Sequence, residues 1–387
     1  MKRGGFAPQL QEEILEDEAK EEEEEPDYHL SASGHSFKFK GMAGMFVVTR
    51  DGMSVHSTEV VGGPSSDLVQ LRCNYNDLDV QNGKWLGAGA SGKVFAVKHK
   101  PSGVRLALKR INVGEDQQMQ HIKRELDALY MDGNDHIINF YGAFFDRGNI
   151  MIALELMDGS LLDAIAHMQT IPETVLRGIT RQVLHGLFYL HKNRHVVHRD
   201  VKPSNLLFAR NGSIKITDFG ISAALQGTQF HARSFVGTVL YMSPERLAGC
   251  DYSYPADIWS LGLTLIQLAS GKHPYAKLHD KATFWDVLKC IEDEAPPSLP
   301  QDKIFSQSFR TFVSRCLERS PQQRSTVTDL MDHPFVAEIS DEDAQAVCKE
   351  WFPQVHKKMK VAEREMQAQH QKAMDLAEQL LASAIGS

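Results

Sequence analysis

A chain of 387 residues with 42% hydrophobic and 24% charged content fits one large two-lobed domain with tails, or two to three small domains. Its net charge of −8 sits at one end: residues 1–30 hold Lys2, Arg3 and Lys20 against eleven acids, so the remainder is neutral and lacks the basic face that a nucleic-acid binder needs. No stretch is long and apolar enough to span a bilayer, the start lacks the apolar core of a secretory leader, and the five scattered cysteines form no CxxC pair, which fits reduced thiols in a cytosolic or nuclear protein.

Residues 1–67 read as a largely disordered acidic extension, because ordering a run such as Glu21 to Glu25 costs entropy that little apolar burial offsets. Two pieces differ. The tip, from Met1 to Leu10, is basic and apolar. Residues 46–55, with Asp51-Gly52 in the middle, suit a small hairpin. Residues 78–112 are a run of strands, broken by the turn Pro101-Ser102-Gly103. Residues 115–131 fit a helix, with Met119, Ile122, Leu126 and Leu129 at steps of three and four. Strand character returns over 137–157. A second amphipathic helix over 172–192 places Val175, Ile179, Val183, Leu187 and Leu190 on one face. Residues 257–269 are apolar nearly all round and too short for a bilayer, so they form a central buried helix. More helices follow to Phe335. Strands first and helices after give an α+β chain of two lobes, a small β-rich one and a large helical one, over residues 76–335. A C-terminal extension, 336–387, begins with the acidic connector Ser340-Asp341-Glu342-Asp343 and continues as a long helix from about Pro353. Its weak stripe of Met359, Ala362, Met366, Ala373, Ala377 and Leu380 fits a helix packed back on the body, or a docking surface for a partner.

Three segments carry chemistry. Gly87-Ala88-Gly89-Ala90-Ser91-Gly92-Lys93-Val94 lets backbone N–H groups approach phosphates closely. A dinucleotide loop should open a helix, yet residues 94–98 look like a strand. A P-loop needs a hydroxyl where Val94 stands. The pattern G-x-G-x-x-G-x-V, with strands on both sides, fits throughout. On the strand after the turn, alternation puts Ala107 and Lys109 on one face. In the third segment, His198-Arg199-Asp200-Val201-Lys202-Pro203-Ser204-Asn205, Pro203 rules out continuous helix, so a short loop holds a carboxylate, an ammonium and an amide. His191, His195 and His198 suggest zinc, but no acidic or cysteine partner is suitably spaced.

This loop resembles the catalytic loop of protein kinases, H-R-D-x-K-P-x-N, and the other motifs follow in kinase order over about two thirds of the chain. The resemblance implies the bilobal protein-kinase fold, ATP and Mg²⁺. It implies that Asp200 accepts or orients the substrate hydroxyl proton and that Lys202 neutralises the γ-phosphate. Asn205 and Asp218, the latter in Asp218-Phe219-Gly220, hold metal. Lys109 reaches the α- and β-phosphates and pairs with Glu125. Leu86, Gly87 to Lys93, Val94 and Ala107 enclose the nucleotide, Leu154 gates the back of the pocket, and Glu155, Leu156 and Met157 form the hinge. Glu245 should pair with Arg324 as a buried structural ion pair.

Residues 234–247, Ser-Phe-Val-Gly-Thr-Val-Leu-Tyr-Met-Ser-Pro-Glu-Arg-Leu, closely resemble the S-F-V-G-T-x-x-Y-M-S-P-E-R segment of MAP kinase kinases. That family usually has two glycines where this chain has only Gly159. Thr228 and Ser234 are separated by five residues, similar to the plant pattern S/T-x5-S/T, and both are expected phosphoacceptors. The resemblance implies a dual-specificity kinase acting on Thr and Tyr of a MAP kinase T-x-Y loop and activated by an upstream MAP kinase kinase kinase, with the basic tip docking on the MAP kinase. Two other readings use the same residues: a serine/threonine kinase of a neighbouring class, and a scaffold without phosphotransfer. Intact Lys109, Glu125, Asp200, Asn205 and Asp218 argue against the scaffold.

Overall fold

The computed structural model describes residues 28–30, 36–41, 44–56, 73–89, 92–113, 122–123, 125–127, 129–130, 133–218, 239–249, 253–275 and 284–385. Five antiparallel strands make the upper lobe: β5 (Lys84–Gly89), β6 (Gly92–Lys98), β7 (Arg105–Asn112), β8 (Phe140–Asp146) and β9 (Asn149–Glu155), in the order β5-β6-β7-β9-β8. The glycine-rich segment is the hairpin joining β5 to β6, with Gly87 opposite Val94 and Gly89 opposite Gly92. Gly92 has φ +130°, and a Cβ there would lie 2.4 Å from the Arg110 carbonyl oxygen, so β6 and β7 can run this close only with glycine. A helical segment at 122–123, 125–127 and 129 follows β7 and buries Ile122, Leu126 and Leu129. The remaining expected stripe residue, Met119, lies outside the described residues.

The lower lobe is helical. Helix α1 (Leu161–Met168) starts at a capping box between Ser160 and Asp163, which satisfies two otherwise unpaired N–H groups. Helix α2 (Glu173–Phe188) buries Val175, Ile179, Val183 and Leu187 as its period requires. A short sheet, β10 (Gly159–Ser160), β11 (Leu206–Phe208) and β12 (Ile214–Ile216), frames the loop holding Asp200. The single Gly159 is accommodated as part of β10, where a Cβ would meet Met359 at 2.9 Å and Phe208 at 3.0 Å. After α3 (Pro244–Leu247), helix α4 (Pro255–Ser270) is buried along nearly its whole length, as its apolar composition demands. Helices α5 (Phe284–Asp293), α6 (Gln307–Cys316), α7 (Val327–Met331) and α8 (Pro334–Ala337) complete the lobe. Among the described residues no helix is long and apolar enough to cross a membrane.

Two expectations for the extensions are corrected. The described residues between 28 and 56 are not a disordered leader with one hairpin. They form an antiparallel sheet of β1 (Tyr28–Leu30), β2 (Ser36–Gly41), β3 (Gly44–Thr49) and β4 (Met53–His56). The Asp51-Gly52 turn does join β3 to β4, but the sheet is larger because Phe37 and Phe39 alternate with Lys38 and Lys40, and Phe46 and Val48 follow the same period. All four apolar side chains are buried, and that burial offsets the ordering entropy. The tip, Met1 to Leu10, lies outside the described residues. In the C-terminal extension the helix starts at Asp341, not Pro353: α9 spans Asp341–Ile385 with Pro353 inside it. The acidic connector is its first turn. Ser340 Oγ accepts from the Asp343 N–H at 3.0 Å, and three acids there complement the helix dipole. The hydrogen bond that Pro353 removes is offset by burial of Trp351, Phe352 and Val355, with Phe352 stacked on Phe208 at 4.4 Å. The weak stripe divides: Met359 packs against the core, whereas Met366 is 67% exposed.

The ion pair expected between Glu245 and Arg324 is present. Arg324 Nη1 and Nη2 reach Glu245 Oε1 and Oε2 at 2.7 and 3.0 Å. The guanidinium also donates to the carbonyls of Glu318, Pro255 and Arg319 and lies 5.1 Å from the Trp259 ring centroid. Burial works against the Glu245 charge, but Arg324 outweighs it and holds the carboxyl below its ordinary range. Removing the cation by Arg324→Ala should therefore cost roughly 3–5 kcal/mol, read as a lowered midpoint in urea. Because the folded pKa of Glu245 is depressed, its contribution is complete at neutral pH and lost in acid. The stability gap between wild type and Glu245→Gln should narrow as pH falls below about 4.

Candidate active site

The sheet register brings the nucleotide-facing residues together. Val94 lies opposite Lys109, Ala96 opposite Ala107 and Ala107 opposite Leu154, so a small residue stands between the glycine hairpin and the expected gate. Leu86 is exposed at the hairpin base, and Val94 and Met157 are half-buried. Ala90 and Ser91 lie outside the described residues. Glu155 differs from a side-chain ligand. Its carboxylate accepts from Lys215 Nζ at 2.7 Å and from the Asn139 N–H at 3.4 Å, and its own N–H donates to the Asn139 carbonyl at 2.9 Å.

Lys109 and Glu125 are each 2% exposed, and the ammonium donates to Glu125 Oε1 at 2.6 Å and to Asp218 Oδ1 at 2.7 Å. Burial disfavours the Lys109 charge, but Asp218 and Glu125 together overcome it and raise its pKa. Burial also opposes the Asp218 charge. Lys109 prevails there, with Lys202 and His198 adding to it, and holds Asp218 low. Burial pushes Glu125 up, against the pull of Lys109. Asp218 is thus the better placed of the two carboxylates to stay ionised, as a metal ligand must.

In the catalytic loop, Asp200 Oδ2 accepts from Lys202 Nζ at 2.8 Å and from Asn205 Nδ2 at 2.8 Å. The other oxygen, Asp200 Oδ1, is buried and has no hydrogen-bond partner among the described residues. An orphaned buried carboxylate oxygen is costly unless a donor arrives, so this atom could accept a further hydrogen bond. Asn205 Nδ2 also donates to the Asp200 carbonyl at 2.9 Å, which turns the amide so that Oδ1, which accepts from Ser204 Oγ at 3.2 Å, keeps a second lone pair that could face a cation. An amide oxygen and the Asp218 carboxylate are hard donors suited to a divalent metal. When bound, the ion would screen phosphate charge, and Asn205 and Asp218 would hold it. The histidines do not build a zinc site. His191 Nε2 bonds Asp257 at 2.8 Å, and His198 Nε2 bonds the Thr217 carbonyl at 3.0 Å.

Asp257 is the functional residue that sequence reasoning missed. It is fully buried in the first turn of α4. Oδ1 accepts from the Arg199 N–H at 2.7 Å, and Oδ2 accepts from the His198 N–H and His191 Nε2, both at 2.8 Å. Burial raises its pKa, yet these donors more than compensate and keep it low. Arg199 has φ +74° and Asp218 φ +62°, left-handed values that cost non-glycine residues energy and persist only where surroundings hold them. Asp257 supplies that hold for Arg199, one residue from Asp200. The available signal was a carboxylate opening an otherwise apolar buried helix, which needs internal donors. Asp257→Asn replaces an acceptor with a donor facing N–H groups. It should lower kcat by about 100-fold while leaving the ATP KM within about threefold, measured by steady-state phosphotransfer.

Phe219, Gly220, Thr228 and Ser234 lie outside the described residues. The chain matches the protein kinase domain family over residues 80–336. It is 40% identical over 349 residues to the mitogen-activated protein kinase kinase SIPKK of Nicotiana tabacum, covering 89% of this chain and 94% of the relative. It is 42% identical over 314 residues to mitogen-activated protein kinase kinase 5 of Leishmania mexicana, covering 78% of this chain and 58% of that longer relative. It is also 40% identical over 301 residues to a dual-specificity mitogen-activated protein kinase kinase of Drosophila melanogaster, covering 71% and 75% of the two chains. With a bilobal fold and a buried lysine–glutamate pair, the chain belongs to the MAP kinase kinase family of protein kinases, dual-specificity enzymes that use ATP and a divalent metal.

Proposed function

We propose that this kinase transfers the γ-phosphate of ATP, bound with Mg²⁺, to both Thr and Tyr of the T-x-Y activation loop of a MAP kinase. Asp200 Oδ1, unpartnered among the described residues, carries this reading, because a seryl, threonyl or tyrosyl hydroxyl can donate to it equally well. Lys202 lies 2.8 Å from the other oxygen of the same carboxylate and stands ready to neutralise the transferring phosphoryl group. Lys109 and Asp218 hold the remaining phosphates and the ion. A panel of catalytically dead MAP kinases, each incubated with the enzyme and mapped by mass spectrometry, should show phosphate on both residues of the motif. Labelling of threonine alone would favour a serine/threonine kinase of a neighbouring class.

The same reading includes a switch. Phosphate on Ser234 and Thr228, added by an upstream kinase, brings about −2 charge per group toward Arg199 beside Asp200 and orders the loop. The tip from Lys2 to Leu10 would dock in an acidic groove of the MAP kinase, and the enzyme would act in the cytoplasm. A Ser234→Ala, Thr228→Ala double variant should show less than about a tenth of the wild-type rate after upstream-kinase treatment. Full activation of that variant would remove both residues from the mechanism.

A further inference from the structure

The N-terminal sheet meets the catalytic machinery through one helix. Phe37, Phe39, Phe46 and Val48 are buried in the same core as Ile122, Leu126 and Leu129. These last three lie on the helical segment that carries Glu125. Phe37 approaches Phe39 at 5.4 Å, Phe39 stacks on Phe46 at 4.7 Å, and the Phe46 ring meets Tyr130 edge-on at 5.2 Å. Tyr130 belongs to the last turn of that segment, since its N–H donates to the Leu126 carbonyl at 2.9 Å. The other end of the sheet is anchored on the β-strands: β3 and β4 lie against β8, Arg50 pairs with Asp146 at 3.7 Å, and its guanidinium sits 5.7 Å from the Tyr75 ring centroid. The row of aromatic rings therefore links the strands to the helix from outside the nucleotide cleft.

Glu125 must enter a buried site against a desolvation cost, so the Lys109–Glu125 pair is only as secure as the helix that presents Glu125. We propose that the sheet of residues 28–56 is a positioning element for phosphotransfer, in which Phe46, through Tyr130, holds the helix so that Glu125 engages Lys109. Phe46 and Tyr130 are positioning residues, because neither touches the nucleotide or the reacting atoms.

The test uses the full chain, with ADP release as the readout, so that it does not depend on which protein substrate is correct. Phe46→Ala should lower kcat about tenfold, and Phe46→Leu should recover most of it. In a Glu125→Gln background the same Phe46→Ala change should cost less than about twofold, because the pair it protects is already gone. Equal losses in both backgrounds, or no loss in either, would overturn the proposal. Tyr130 is 40% exposed and tolerates truncation better than the buried phenylalanine. If Phe46→Ala does not fold, Tyr130→Ala carries the test, with the same tenfold loss and the same dependence on Glu125 expected. Wild-type kcat in that variant would count against the idea as firmly.

Discussion

A lysine ammonium buried to 2% exposure is untenable without anions, and the upper part of this molecule is arranged to supply them. Lys109 comes from β7, Glu125 from the helix that follows it, and Asp218 from the segment after β12. No two of these elements are neighbours in the way that a hairpin joins neighbours. The demand of one buried charge for two carboxylates couples the lobes and sets the geometry into which phosphates fit. Leaving one member unpaired would cost several kcal/mol, so the arrangement is cooperative by construction.

The lower lobe repeats the principle with the sign reversed. Asp257 is a buried carboxylate, and its donors are two backbone N–H groups and one imidazole. It fixes the left-handed turn at Arg199 and so the direction of Asp200. Arg324 ties Glu245 of α3 to the Pro255 carbonyl at the start of α4 and to the Glu318 and Arg319 carbonyls just after α6. Helix α4 therefore acts as a rigid base in which buried charges, each fully satisfied, are converted into positional accuracy.

The two extensions extend that frame. The N-terminal sheet adds an aromatic layer behind the Glu125 helix. Helix α9 starts with Asp341 bound to Arg181 and His185 on α2. It then passes Asp158 beyond the hinge through His356 at 3.8 Å and reaches Lys84 of β5 through Glu363. Thus one helix touches both lobes. Its surface ion pairs add little energy individually; the buried Phe352 and Val355 hold it in place.

The sequence alone determined where the chemistry-bearing residues cluster. Gly87, Gly89, Gly92 and Lys109 were legible by spacing and alternation, Asp200, Lys202 and Asn205 as polar groups of one short loop, and Asp218 through family resemblance. The central helix was legible because it is apolar all round. The pair of Glu245 and Arg324, 79 positions apart, was reached through family resemblance and not through spacing. Only the tertiary structure decided which groups meet. Asp257 looked like an ordinary helix start until three donors converged on it. That the Glu155 carboxylate pairs with Lys215, 60 positions away, was not legible either. Four short strands with no long apolar run, and a helix running through Pro353, contradict local expectation. Both are held by buried rings from distant segments, and burial across a fold is a sum over neighbours that no local window contains.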